Sequence, residues 1–394
     1  MRFPGFTDEW EKTSLGEIGE TLIGLTYSPK DVVENGGTIV FRSSNIQNGM
    51  IDYSDLVRVN KSIKERIITK ENDILVCARN GSTRLIGKNT LLKKSDSGNT
   101  FGAFMMIYRS EDNDIVHPIL STRRYFSQVS ENLGARINQI TTSDLNSFEF
   151  NLPNNPEEKR KIGKLFQLIN ERIATQNKII EDLKKLKSAI MAITFGKSNV
   201  TKNQWREVRL GNICERVTRR NSNNISNLIL TIAAQYGLVS QIDFFNKSVA
   251  SADLSNYYLL DKGDFAYNKS YSGEYTWGAV KRLDLYPQGV LSPLYICFRP
   301  MEGIIDSDFL VYLFESKCWY REVSEICVEG ARNHGLLNVS VVDFFNMKLH
   351  LPDLSEQKRI AEMMNAISDK IEHSSRLYAL YNNQKTYLLS NMFI

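Results

Sequence analysis

Two segments of the chain carry apolar residues at heptad spacing. After Pro156 there is no proline, and Gly163 is the single glycine, up to about residue 195. A sustained heptad pattern predicts a long helix that packs against another helix, and Pro156 suits the first turn of such a helix. The predicted seam comprises Ile162, Leu165, Ile169, Ile173, Leu183 and Ile190 in the first segment, and Ile360, Met364, Ile367 and Ile371 in the second.

The rest of the chain alternates short apolar runs with turn residues. Gly36-Gly37 precedes the run 38–41, Asn72-Asp73 precedes 74–76, and Ser292-Pro293 precedes 294–298. Such runs predict strands of a mixed sheet. Helical stretches such as 309–323 are interleaved with them. The predicted fold class is therefore α+β.

The chain also repeats itself at an offset of about 195 residues, and the middles of the two copies (21–67 and 218–259) diverge. We therefore predict two similar α+β domains in tandem, 1–155 and 203–353, with helical segments 156–202 and 354–394. A duplication without functional meaning is the alternative, but a shared frame with divergent inserts favours two recognition modules for different targets. The matching pairs, in chain order, are Trp10 and Trp205, Leu15-Gly16 and Leu210-Gly211, Asp73 and Asp264, Gly134-Ala135-Arg136 and Gly330-Ala331-Arg332, Leu152-Pro153 and Leu351-Pro352.

The two predicted helices are natural partners for each other. Forty residues of helix span about 60 Å, and a seam of that length is not stable when exposed to water. Because the helices hold equivalent places in a duplicated chain, we expect them to form an antiparallel coiled coil with pseudo-twofold symmetry. The alternative is that each helix folds back on its own domain.

The charge is balanced overall, with 49 basic and 45 acidic residues and a net charge of +4. This excludes a strongly basic coat but not a local basic face. Residues 156–202 hold eleven Lys and Arg against five acids. Such a helix either faces a phosphate backbone or has an ordinary solvated surface.

Two similar heads on a stiff spacer suit duplex DNA, because pseudo-twofold proteins read paired half-sites about 34 Å apart. Polar loops in each head supply side chains that pair with base edges or phosphates; ordinary polar loops are the alternative. The candidate DNA-binding residues are Arg42, Ser43, Ser44, Asn45, Arg79, Asn80, Ser82, Arg84, Arg136, Asn138, Asn268, Lys269, Ser270, Tyr271, Arg332 and His334.

Several patterns of enzymes and metal sites are missing or incomplete. There is no Pro-Pro pair for an amino-methyltransferase loop, residues 81–89 fail the spacing of a phosphate-binding loop, and residues 352–358 place Asp and Glu too close for a nuclease site. The four histidines lack metal-ligand spacing, and five cysteines without a C-x-x-C pair argue against zinc or a disulfide framework. We therefore expect no catalytic residue and no bound metal, and a cytoplasmic protein without a membrane span.

The opening Phe3-Pro4-Gly5-Phe6, the Leu-Gly-x-Ile segments, the Leu-Pro junctions and the Glu-x-Lys-Arg-x-Ile helix starts occur in a duplicated order. In this order the whole chain resembles the specificity subunit of type I restriction–modification systems. It departs from that pattern at Asn72, where glycine is common, and at Phe265-Ala266-Tyr267, where aliphatic residues are usual.

The resemblance implies two target-recognition domains, each reading one half of a bipartite DNA site in a system of defence against foreign DNA. It implies that the coiled coil sets the spacer and docks two methylation subunits, which bind S-adenosylmethionine and methylate adenine. Restriction subunits, expected to number two, would use ATP and magnesium. A coiled-coil scaffold whose heads bind proteins, and a stand-alone DNA enzyme, are the rival interpretations.

Overall fold

The computed structural model describes residues 2–133, 138–202, 205–233, 236–245, 253–270, 275–327 and 337–393. They form two compact units: unit 1 comprises Met1–Lys178 and Ser375–Ile394, and unit 2 comprises Ile179–Ser374. Each unit combines mixed sheets with segments of two long helices, which confirms the predicted α+β class and the tandem organisation. No helix in the described part of the chain is long and apolar enough to cross a membrane.

Unit 1 consists mainly of short strands followed by helices. Its elements are β1 (Glu11–Ser14), α1 (Leu15–Ile18), β2 (Glu20–Ile23), β3 (Val32–Val33), β4 (Thr38–Phe41), β5 (Ile46–Gln47), β6 (Met50–Ile51), β7 (Val57–Val59), β8 (Ile74–Cys77), β9 (Asn89–Leu91), β10 (Thr100–Phe101), β11 (Met105–Arg109), α2 (Asn113–Ile119), α3 (Arg123–Leu133), α4 (Thr142–Ser147), β12 (Glu149–Leu152), the first part of α5 (Pro156–Thr194) and the last part of α11 (Leu354–Met392).

The central sheet of unit 1 has the strand order β2-β11-β8-β9, with antiparallel pairing throughout. Side chains of β8 alternate between two cores: Ile74 and Val76 join one, while Leu75 and Cys77 join the other. Both faces of the sheet are therefore buried, which explains why this strand is an unbroken apolar run in the sequence. A second sheet, β10-β4-β7-β3, and the pairs β1-β12 and β5-β6 complete the sheets of the unit.

Unit 2 repeats this plan. Its elements are the second part of α5, α6 (Lys197–Lys202), β13 (Arg206–Arg209), β14 (Cys214–Arg216), β15 (Leu230–Ala233), β16 (Gly237–Ser240), α7 (Gln241–Phe245), β17 (Tyr258–Asp261), β18 (Phe265–Asn268), β19 (Ala279–Arg282), β20 (Gln288–Leu291), β21 (Ile296–Pro300), α8 (Ser307–Glu315), α9 (Tyr320–Ile326), α10 (Val341–Asn346), β22 (Lys348–Leu351) and the first part of α11 (Leu354–Met392).

The sheet β14-β21-β18-β19 and the pair β13-β22 match β2-β11-β8-β9 and β1-β12 strand for strand. The pairs β15-β16 and β17-β20 have no such match in unit 1, and β15-β16 falls in the divergent middle of the second copy. The stretch 309–323, predicted as one helix, is two helices, α8 and α9. The break contains Lys317, whose positive φ of 61° is incompatible with a continuing helix.

An equivalent ion pair with a buried aspartate anchors both central sheets, although the side chain of Arg299 is 48% exposed and that of Arg109 only 19%. Arg109 donates to both carboxylate oxygens of Asp73 at 2.8 and 2.7 Å, and Arg299 donates to Asp264 at 2.6 and 2.8 Å. The residue before each aspartate is left-handed, with φ of 66° at Asn72 and 95° at Gly263. Because asparagine tolerates this region better than most residues, Asn72 adopts in unit 1 the left-handed conformation that Gly263 adopts in unit 2.

The long helices α5 and α11 have 39 residues each, and both contribute to each unit. In unit 1, Phe166 of α5 stacks on Phe393 just beyond α11, with ring centroids 5.8 Å apart, and Arg172 lies over Tyr381 at 6.0 Å. In unit 2, Ile190 packs against the core that contains Ile360 and Met364. Early residues of one helix therefore lie near late residues of the other, which is antiparallel pairing. All ten predicted seam residues are buried or half-buried.

Candidate nucleic-acid interface

Unit 1 contains a cleft of about 760 Å³ where five connecting loops meet. The loops follow β2, β4 and β8, precede β11, and include Asn138. Six of the residues predicted from the sequence line this cleft: Arg42, Ser43, Ser44, Arg79, Asn80 and Asn138. Segments separated by up to about 100 residues in sequence are thus brought together by the sheet.

Asn80 links these loops to one another by hydrogen bonds. Its side chain donates to Ser43 Oγ at 3.0 Å and accepts from the Ser82 amide at 3.0 Å. The backbone N–H of Asn80 donates to the Asn138 carbonyl at 3.3 Å, and the Asn138 side chain donates to the Gly81 carbonyl at 3.3 Å. The loop after β8 is therefore held from two sides, which limits the entropy lost when a ligand binds.

Arg79 and Phe104 form the exposed rim of the cleft. The Arg79 guanidinium lies 5.1 Å from the centre of the Phe104 ring, and 58% of Phe104 is exposed. Sequence reasoning missed Phe104 and also Tyr27, another lining residue. The available signal was the Gly102-Ala103 turn just before β11, because turns at strand ends carry many functional residues.

Arg42 and Asn45 shape the loop after β4. Arg42 pairs with Asp55 at 2.8 Å. Asn45 is only 1% exposed, and its amide donates to the carbonyls of Asp52 and Asp55 at 3.1 and 2.8 Å. These hydrogen bonds stabilise the turn, and the predicted DNA contact of Asn45 stays a prediction.

The remaining predicted residues of the first copy lie away from the cleft or outside the residues that the structure describes. Ser82 and Arg84 are exposed and do not line the cleft; Arg84 lies in a short 3-10 helix, Thr83–Leu85. Arg136 lies outside the described residues, as do Tyr271, Arg332 and His334 of the second copy.

In unit 2, Asn268, Lys269 and Ser270 follow the central strand β18 and are half-buried. The Asn268 side chain accepts from the Ser270 amide at 2.9 Å, as Asn80 does in unit 1. The Lys269 ammonium donates a hydrogen bond to the Val339 carbonyl at 3.2 Å, and burial lowers the pKa of this side chain. Its charge is therefore directed toward the protein interior in this structure.

The divergent middle of unit 2 presents an exposed aromatic cluster that the sequence analysis did not single out. Tyr236 lies 6.4 Å from Phe244, and Phe244 lies 4.8 Å from Phe245, and all three side chains are exposed. Arg220 covers the nearby strand residue Tyr258 at 4.7 Å. The two units thus offer different surface chemistry on the same frame.

The described residues contain no group of three or more His, Cys, Asp or Glu that could hold a metal ion. All five cysteines are free thiols. Burial raises the pKa of Cys77 to about 11 and that of Cys214 and Cys297 to about 12. These three thiols are therefore protonated at neutral pH and unsuited to nucleophilic catalysis.

Comparisons with known proteins agree with this geometry. Residues 7–185 match the family model of the type I restriction modification DNA specificity domain. The chain is 26% identical to the StySPI specificity subunit of Salmonella potsdam, covering 92% of this chain and 83% of that one. It is 23% identical to the EcoKI specificity subunit of Escherichia coli K12, covering 98% and 88%.

A similar fold occurs in the crystal structure of the S subunit of a type I restriction–modification system from M. genitalium. The TM-score is 0.62 at 15% identity, and the match covers 100% of this chain and 99% of that one.

Proposed function

We propose that the chain is a specificity subunit of a type I restriction–modification system and that each of its two units reads one half of a bipartite DNA site. The observation that carries this proposal is the unit 1 cleft, where loops from five places present arginine, asparagine and serine side chains. These residue types match the donor and acceptor groups of base edges. The frame recurs in unit 2 with a different surface, which suits a second, unrelated half-site.

We further propose that the paired helices set the distance between the half-sites and that partner subunits carry out the chemistry. Methylation subunits would supply S-adenosylmethionine, and restriction subunits would supply ATP and magnesium.

Salt-dependent binding to duplex DNA tests the proposal. Methylated adenines mapped in cells that express the chain with its partners would give the site, and affinity for that duplex would then be measured at increasing salt. We expect log K to fall against log salt with a slope of about −0.9 per phosphate contact. A duplex with a scrambled site is the control, and equal, salt-independent affinity for both duplexes would favour the protein-binding scaffold.

The surface of α5 offers a docking site for a methylation subunit. Ile179, Leu186 and Ile193 lie seven residues apart in unit 2 and are 38%, 48% and 69% exposed. Because seven-residue spacing places these three exposed apolar side chains on one face of the helix, we propose that this stripe binds the methylation subunit.

We expect Leu186→Glu to abolish co-purification of the methylation subunit without lowering the melting temperature of the chain. Lys184→Glu, an exposed position on the same helix, is the matched control and should leave the complex intact. Normal complex formation by Leu186→Glu would contradict this assignment of the stripe.

A further inference from the structure

We propose that Arg79 reads a guanine in the half-site of unit 1, and that Phe104 holds the Arg79 guanidinium in position for that contact. This inference rests on the proposed function, because it names the base that the cleft recognises. It separates one base-reading arginine from the other arginines of the same loops.

The backbone at Arg79 is fixed before any DNA binds. The amides of Ala78 and Arg79 both donate to the Phe104 carbonyl at 3.0 Å, and Arg79 forms a β-bridge with Gln139. The adjacent Asn80 is held by Ser43. The Cα of Arg79 therefore has a defined place on the cleft rim.

The guanidinium of Arg79 is held in position, and its N–H donors remain available for a ligand. The guanidinium lies over the Phe104 ring, and it forms no hydrogen bond or ion pair with the described residues. Stacking on a ring face restricts the rotamers of arginine while leaving its planar fork of donors available. Arg42, by contrast, is paired with Asp55, and Arg84 lies outside the cleft.

The chemistry of the lining suits a base-edge contact by Arg79. Apart from Arg42 and Arg79, the described residues of the lining have uncharged side chains, among them Ser43, Tyr27 and Asn80. Among the described residues of the lining, Arg79 is the one cation without an acidic partner, because Arg42 pairs with Asp55. A single arginine fork in a neutral setting suits the O6 and N7 acceptors of guanine, the commonest specific contact in the major groove.

The test uses the full chain with its methylation subunits and duplexes of the mapped site, with affinity measured by fluorescence anisotropy at one salt concentration. Each guanine is replaced in turn by 7-deazaguanine, which lacks the N7 acceptor. We expect one position to weaken wild-type binding by about 5- to 150-fold. Arg79→Ala should show a similar loss on the natural duplex and no further loss with 7-deazaguanine at that position. Arg84→Ala is the matched control and should respond as wild type does.

Other results would overturn the inference. Equal weakening of specific and scrambled duplexes by Arg79→Ala would identify a phosphate contact, and unchanged binding would exclude any contact. If the wild-type complex itself fails to prefer the mapped site, the proposed function fails instead, so the two failures are distinguishable.

Phe104 is a positioning residue in this scheme, and its variants test that role. Phe104→Tyr keeps the ring face and should retain sensitivity to 7-deazaguanine at the same position. Phe104→Leu keeps apolar bulk without the ring and should lose most of that sensitivity while its melting temperature stays at the wild-type value. Full sensitivity in Phe104→Leu would remove Phe104 from the proposal.

Discussion

Replacing Asp73 with alanine is expected to destabilise unit 1 by about 3–5 kcal/mol, the usual cost of removing one partner of a buried ion pair. The Asp73 side chain is 2% exposed and that of Arg109 is 19% exposed, so the substitution leaves a largely buried guanidinium without its carboxylate partner. The Lys70 amide, which donates to Asp73 at 2.8 Å, would also lose its partner. For a unit of this size, the melting temperature should fall by roughly 10 °C.

The second copy supplies a matched control for this substitution. Arg299 pairs with Asp264 and also with Asp261 at 2.9 Å, so Asp264→Ala leaves the guanidinium one carboxylate. We therefore expect Asp264→Ala to cost less than Asp73→Ala. Hydrogen exchange of β8 and β11, followed by mass spectrometry, would localise the loss to unit 1. An equal loss of stability from the two substitutions would contradict the role of Asp261 as a second carboxylate partner of Arg299.

The features that follow from local patterns were predictable from the sequence. The heptad pattern located α5, which runs from Pro156 to Thr194, because helix-helix packing imposes a period that solvent-facing positions do not share. The repeated Asp73 and Asp264 located two equivalent strands, since a left-handed residue, an aspartate and an apolar run recur together. These signals depend on residues close together in sequence.

The features that depend on tertiary contacts were not predictable. Asn45 and Ser44 are both polar residues in the same loop, yet Asn45 is buried and Ser44 lines the cleft, because the carbonyls of Asp52 and Asp55 capture the Asn45 amide. Phe104 would be assigned to a core from its residue type alone. Its exposure follows from its place at the start of β11, where the chain enters the sheet from the cleft.

The packing of α11 against α5 gives the second large effect. Phe166 is 1% exposed, stacks on Phe393, and shares a core with Leu389 and Met392. We expect Phe166→Ala to destabilise unit 1 by about 3–5 kcal/mol, because truncation of a buried phenylalanine loses transfer free energy and leaves a cavity. Urea denaturation measured by circular dichroism would give the cost.

The region in which hydrogen exchange rises distinguishes the loss of helix pairing from a local loss of stability around Phe166. If Phe166 holds the end of α11, then Phe166→Ala should raise hydrogen exchange in residues 381–392, although these lie more than 200 positions away in sequence. Ile193→Ala, on the same helix but at a residue that is 69% exposed, should change stability by less than about 0.5 kcal/mol. Unchanged exchange in α11 alongside a large loss of stability would mean that Phe166 stabilises the sheet side of the core alone. The antiparallel pairing of unit 1 would then rest on Arg172 and Tyr381, and the spacer proposed for the two half-sites would lose its main support.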